Sequence, residues 1–166
     1  MEHCIKYAGA NPGRSGHRMA LEAGRLIDEA RELLAALFNI NNPERIVFTL
    51  NATESLNLAI KGLLKKGQHV ITSSMEHNAV ARPLFVMEQR GVEVTKVPCD
   101  KDGSINIKDI EAAIKPNTTA VIITHASNVT GTLMPIAEIG QLTKKKGLIF
   151  IVDAAQTAGV YDLDVS

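Results

Sequence analysis

Four short polar clusters in this chain carry side chains able to do chemistry, and each directly follows an apolar run. They are Asn51-Ala52-Thr53, Met75-Glu76-His77, Ser127-Asn128 and Asp153 with Gln156. The last is the most informative. Leu148–Val152 is an unbroken apolar stretch after Gly147 that leads straight into Asp153, with Gln156 three residues on. Such a run reads as a strand buried on both faces, as in a parallel sheet covered by helices. A carboxylate at its end lies in the crevice where open α/β sheets bind ligands. If the runs are parallel strands, all four clusters share one edge of the sheet and converge on one ligand.

Taken singly, each cluster also has a plainer reading. Thr53 lies where a strand turns into a helix, so free N–H groups, the positive dipole end and a hydroxyl make an anion site there. An ordinary helix cap explains a lone Thr equally well. His77 can stack on a flat ring or handle protons, and it can equally be a solvent-facing loop residue. Asn128, before Thr130-Gly131, can orient a polar ligand or simply make a turn. Asp153 admits three readings: a Mg²⁺ ligand beside a nucleotide, a ribose contact, or the partner of a protonated ring nitrogen. The first calls for a GxxxxGK[ST] loop and the second for a GxGxxG turn, and the sequence has neither. The third agrees with a phosphate site at Thr53, a flat side chain at His77 and an amide at Gln156 to meet a ring oxygen. An acidic cap on the following segment accounts for Asp153 but not for the set.

The elements that must position these groups alternate in type. Residues 1–16 read as a polar loop, with Asn11-Pro12-Gly13 and Ser15-Gly16 as turn signals. Apolar positions from Leu26 to Phe38 recur at helical spacing and predict a helix over 17–38, stopped by Asn39–Pro43. Strands are predicted at 46–50, 69–73, 92–97, 120–124 and 148–152. Helices are predicted at 54–64, at 78–90 with Pro83 near its first turn, at 107–114, and at 135–146 with its cationic end Lys144–Lys146. Strands alternating with helices imply a three-layer α/β/α fold with a mainly parallel sheet. No internal repeat or linker interrupts it, so a single domain over 1–166 is expected.

Composition narrows the class. Of 166 residues 45% are hydrophobic and 22% charged, which is globular rather than disordered composition. Lys+Arg and Asp+Glu both number 18, and a net charge of zero argues against a nucleic-acid or basic membrane surface. Two cysteines, Cys4 and Cys99, have neither disulfide-framework nor metal-ligand spacing, and free thiols suit a reducing cytoplasm. No metal site, signal peptide or membrane span is expected.

Taken together, the clusters resemble the class V aminotransferase family of pyridoxal-phosphate enzymes, of fold type I, and within it the cysteine desulfurases. The resemblance rests on Asn51-Ala52-Thr53-Glu54-Ser55, Glu76-His77-Asn78, Ser127-Asn128-Val129-Thr130-Gly131 and Val152-Asp153-Ala154-Ala155-Gln156, in that order. Asn11-Pro12-Gly13 with Ser15-Gly16-His17 resembles the loop before that family's first long helix. The resemblance implies that Ala52 and Thr53 hold the cofactor phosphate and that His77 lies on the pyridine ring and assists proton transfer. It implies that Asn128 approaches the phenolic oxygen and the substrate carboxylate, that Asp153 pairs with the ring nitrogen, and that Gln156 bonds the phenolic oxygen. The expected substrate is an amino acid, L-cysteine, whose sulfur is released to leave alanine, and full-length relatives are expected to be homodimers.

The family's Schiff-base lysine lies well downstream of the Asp and Gln pair, and here no lysine follows Lys146. The sulfur-accepting cysteine, the substrate-binding arginine and the small domain also belong to that downstream part. An opening Asp-Asn-Ala-Ala-Thr type motif is missing as well. The chain is therefore expected to be part of a large, cofactor-binding domain, inactive alone and prone to self-association. Another class V reaction, such as transamination or selenocysteine cleavage, and a non-catalytic scaffold stand as alternatives.

Overall fold

The computed structural model describes residues 1–13 and 16–165, and the backbone alone of His3. Ser15, part of the predicted loop, lies outside the described residues. The chain divides into two compact units, Met1–Phe48 with Gly159–Ser166, and Thr49–Ala158.

In the first unit the expected loop over 1–16 contains a short helix, α1 (Glu2–Tyr7), braced by a Lys6–Glu2 ion pair of 2.6 Å at i,i+4 spacing. The long helix is α2 (Arg18–Leu37), with His17 as N-cap through Nδ1 and buried alanines at 20, 23 and 35. Asn39 ends it in the left-handed region (φ 54°), and Ile40 N–H reaches back to the Ala35 carbonyl at 2.8 Å. The segment after Gly159 is tied to this helix end: Asn39 Nδ2 donates to Asp164 Oδ2 at 3.0 Å, and Val165 N–H to the Phe38 carbonyl at 3.2 Å.

The strand predicted at 46–50 does not form. Among the described residues Ile46–Leu50 pairs with no strand, and Val47 and Leu50 are 69% and 87% exposed. An apolar run needs a ladder partner to become a strand, and here the Leu50 N–H goes instead to Glu54 Oε2 at 2.6 Å. The helix that follows starts two residues earlier than predicted, as α3 (Ala52–Leu63).

The rest of the second unit is β1 (His69–Ser73), α4 (Asn78–Gln89), β2 (Glu93–Val97), α5 (Ile107–Ala112), β3 (Thr118–Thr124), α6 (Ile136–Lys146) and β4 (Ile149–Asp153). All pairings are parallel, in the order β2-β1-β3-β4. Alternate strand residues face opposite helix layers. Val70, Ala120 and Ile122 pack with Leu56 and Ile60 of α3 and with Val80, Leu84 and Met87 of α4. Ile71, Val121 and Ile123 pack with Ile110 of α5 and Ile139 of α6. This is the three-layer α/β/α arrangement the sequence predicted.

Two expectations are corrected here. Pro83 lies well inside α4, and not near its first turn, yet it is buried in the helix–sheet layer. β4 is not buried on both faces: Ile149 is exposed and Phe150, Ile151 and Val152 are half-buried, because among the described residues β4 is an edge strand. Continuous apolarity marks a strand meant to be covered, but it does not say which residues do the covering. α6 ends as predicted, in three lysines followed by Gly147 at φ 67°.

Candidate functional site

The strand order sets the site. From β1 the chain steps outward to β2, then returns to the other side of β1 for β3 and β4. The crevice between β1 and β3, beyond their carboxyl ends, is a topological switch point of the kind where open parallel sheets bind ligands. A cavity of about 230 Å³ opens there, lined by Asn51, Ala52, Thr53, His77, Asn128, Asp153 and Gln156 together with Thr124 and three alanines. All six residues singled out in the sequence (Ala52, Thr53, His77, Asn128, Asp153 and Gln156) therefore border one space, although 104 positions separate the first from the last.

Ala52 and Thr53 are the first two residues of α3, where N–H groups have no intrahelical acceptor. Asn51 caps the helix through Oδ1, which accepts from Glu54 N–H at 2.9 Å, and Glu54 reaches back to Leu50 N–H. Among the described residues nothing accepts from the N–H groups of Ala52 and Thr53, which leaves two donors and the Thr53 hydroxyl at a positive helix end. Asn51→Ala is expected to destabilise the chain by about 1 kcal/mol in a urea melt, the usual cost of a lost Asn cap. An unchanged midpoint would show that Glu54 alone holds the turn.

His77 is the N-cap of α4, and its Nδ1 accepts from Ala79 N–H at 3.1 Å. That bond assigns the proton of the neutral ring to Nε2. Asp153 is buried at the end of β4, in register with Thr124 of β3, and its Oδ1 accepts from Ala155 N–H at 3.0 Å. Asn128 and Gln156 are exposed at the rim. The Asn128 loop is tightly folded: Ser127 Oγ accepts from the N–H groups of Val129 and Thr130, and an isolated antiparallel bridge joins Ala126 to Leu133.

Two residues that shape the site were given no role by sequence reasoning, His125 unmentioned and Glu76 named only as a neighbour of His77. His125 is buried, and its Nδ1 lies 2.8 Å from Thr157 Oγ1 while its N–H donates to the Asp153 carbonyl at 2.9 Å. It thereby clamps the Asp153–Thr157 turn against β3, and burial holds its pKa below the usual histidine value. Glu76 Oε1 accepts from Ser73 Oγ and from Thr124 N–H, at the ends of β1 and β3. Burial raises its pKa to about 7, against the opposing effect of hydrogen bonds from Ser73 and Thr124, and with a further push from Asp153. A local signal existed for both, since His125 directly follows β3 and Glu76 lies in the turn three residues after β1. His69, in contrast, lies at the opposite end of β1, held between Thr118 and Thr95 hydroxyls. Cys4 is exposed and Cys99 is half-buried against the α5/α6 layer, and neither lines the cleft. Among the described residues no cluster of His, Cys, Asp or Glu is arranged to hold a metal ion, and no helix is long and apolar enough to cross a membrane.

Chemically, one wall of the cleft offers donors to an anion and another offers a buried carboxylate to a cation. A small phosphorylated heterocycle with a protonated nitrogen meets both demands. Structural neighbours share this fold type I α/β arrangement. SspA in complex with cysteine superposes with a TM-score of 0.92 at 38% identity, covering 99% of this chain and 48% of that one. The apo cysteine desulfurase of Thermococcus onnurineus NA1 gives 0.90 at 31% identity, covering 99% and 42%.

The chain belongs to the class-V aminotransferase family, whose model matches residues 1–166. It is 41% identical over 161 residues to the cysteine desulfurase IscS of Dechloromonas aromatica (strain RCB), covering 94% of this chain and 40% of that protein. It is 43% identical over 159 residues to the IscS of Vibrio cholerae (strain M66-2), covering 93% and 39%. The chain thus spans about two fifths of the length of these relatives. Enzymes of this family use pyridoxal 5′-phosphate.

Proposed function

We propose that this chain forms the pyridoxal-phosphate-binding portion of a cysteine desulfurase, an enzyme that releases sulfur from L-cysteine and leaves alanine. The observation that carries the reading is the single cleft that joins the free N–H groups of α3 to Asp153. Similarity to cysteine desulfurases across almost the whole chain supports it.

The N–H groups of Ala52 and Thr53, with the Thr53 hydroxyl, hold the phosphate in this reading. Asp153 has Oδ1 engaged by Ala155 and offers Oδ2 to the ring nitrogen, whose proton an ionised carboxylate keeps in place. When bound, the cofactor supplies an electron sink for breaking a bond of the amino-acid substrate. His77 presents a ring face for stacking and a donor at Nε2, and taking up a proton at Nδ1 costs it the cap of α4. Asn128 orients the phenolic oxygen and the substrate carboxylate, and Gln156 bonds the phenolic oxygen. The chain is read as one portion of the large domain of a cytoplasmic, homodimeric enzyme serving sulfur transfer and iron–sulfur cluster assembly. The lysine that attaches the cofactor and the cysteine that accepts sulfur are assigned to other parts of that enzyme.

Absorbance titration of the chain with pyridoxal phosphate is the direct test. Saturable 1:1 binding, weakened about tenfold or more by Thr53→Ala, is expected if the α3 end holds the phosphate. Binding that ignores Thr53→Ala and survives excess inorganic phosphate would remove the phosphate site from this cleft.

A further inference from the structure

Glu76 has no part in the reading above, yet its side chain lies at the centre of the switch point. Oε1 accepts two hydrogen bonds, from Ser73 Oγ at 2.6 Å and from Thr124 N–H at 3.0 Å. Ser73 ends β1 and Thr124 ends β3. The β1–β3 ladder stops at the Thr72–Ile122 pair, so the N–H of Thr124 has lost its strand partner where β1 turns away. Glu76 supplies the missing acceptor. Thr124 is in turn the residue in register with Asp153. One carboxyl group therefore spans the gap between β1 and β3, one residue before His77 and one strand from Asp153.

The other oxygen is the telling one. Glu76 Oε2 is buried and has no hydrogen-bond partner among the described residues. A carboxylate spreads its charge over both oxygens, and a buried charged oxygen without a donor is costly. A proton on Oε2 removes that charge and leaves Oε1 free to accept both bonds. The charged group that bears on Glu76 is Asp153 of β4, while Ser73 and Thr124 contribute neutral donors.

We propose that Glu76 is a positioning residue: a neutral acid, protonated on Oε2, that fastens the His77 turn to β3 and leaves Asp153 as the negative charge offered to the ligand. The fastening stands on the hydrogen bonds alone. The effect on Asp153 rests on the pyridoxal-phosphate reading. The raised pKa of about 7 agrees with a carboxyl that keeps its proton through mildly acidic pH.

The test follows the side-chain carboxyl carbon of Glu76 by ¹³C NMR in the full 166-residue chain, assigned by its loss in Glu76→Gln. The expected midpoint is near 7 in the wild type, and lower in Asp153→Asn, which removes the neighbouring charge. The amide signal of Thr124 should move with the same midpoint, and that step should vanish in Glu76→Gln. Glu76→Gln keeps an acceptor without charge, so pyridoxal-phosphate affinity should stay within about twofold of wild type. Glu76→Ala should lose about tenfold or more and release Thr124 N–H to fast hydrogen exchange. Titration of Glu76 in the ordinary glutamate range overturns the proposal. So does a Glu76→Gln variant as damaged as Glu76→Ala. If Glu76→Ala does not fold, the Gln and Asn variants still decide the matter. If no variant binds the cofactor but the carboxyl titrates near 7, the cofactor reading fails while the neutral acid stands.

Discussion

Asp153→Ala is expected to weaken pyridoxal-phosphate binding by about 10- to 100-fold, or roughly 1.5–3 kcal/mol, the range for a hydrogen bond to a charged partner. The substitution removes two things at once. It deletes the carboxylate facing the cleft, and it leaves the Ala155 N–H without the Oδ1 that holds the following turn. Asp153→Asn separates them, because its carbonyl oxygen still accepts from Ala155 while the charge is gone. If charge is what the cofactor needs, Asn should bind nearly as poorly as Ala, and fluorescence titration of the two variants will tell. Asn binding like wild type would instead mean that Asp153 matters for the turn and that the ring nitrogen is unprotonated in the complex.

The second large effect is on stability against pH. Burial raises the Glu76 pKa from 4.5 to about 7, so between those values the folded chain holds a proton that the unfolded chain has lost. Stability from this group is complete below pH 4.5 and drains away as pH rises to about 7. That difference corresponds to about 3 kcal/mol. Glu76→Gln carries no such proton. The stability of wild type relative to Glu76→Gln should therefore drop by about 3 kcal/mol between pH 4 and pH 8, read from urea midpoints. A difference that stays constant across that range would mean that the carboxyl titrates alike in the folded and unfolded chains, with water or movement relieving Oε2.

Much of this fold was legible because the sequence alternates cleanly. Runs such as Ala120–Thr124 and His69–Ser73 follow Pro, Asn and Gly signals, and the structure places both in central strands, the first beginning two residues earlier at Thr118. Ile46–Leu50 has the same apolar look and forms no strand, since strand identity depends on a partner that local composition cannot specify. The candidate site was legible as residue types at the ends of apolar runs, although the run before Thr53 is no strand. Thr53, His77, Asn128, Asp153 and Gln156 stand out because each is polar where an apolar run stops. Glu76 was quoted beside His77 without a role, and His125 stands in such a place but was passed over. Their importance comes from what they touch across the sheet, Thr124 in one case and Thr157 in the other. Contacts of that kind, 48 and 32 residues apart in sequence, leave no periodic trace.

The pairing of Thr124 with Asp153 carries one more consequence. Successive residues of a strand point to opposite sides, so sliding β4 along β3 by one position would present Val152 at the rim and turn the carboxylate into a helix layer. Such a molecule would keep nearly all of its secondary structure and much of its burial while being blind to the ligand. Fidelity of alignment, separate from resistance to unfolding, then decides how many molecules in a preparation are competent. It would surface as a binding stoichiometry below one in a sample that looks fully folded by circular dichroism.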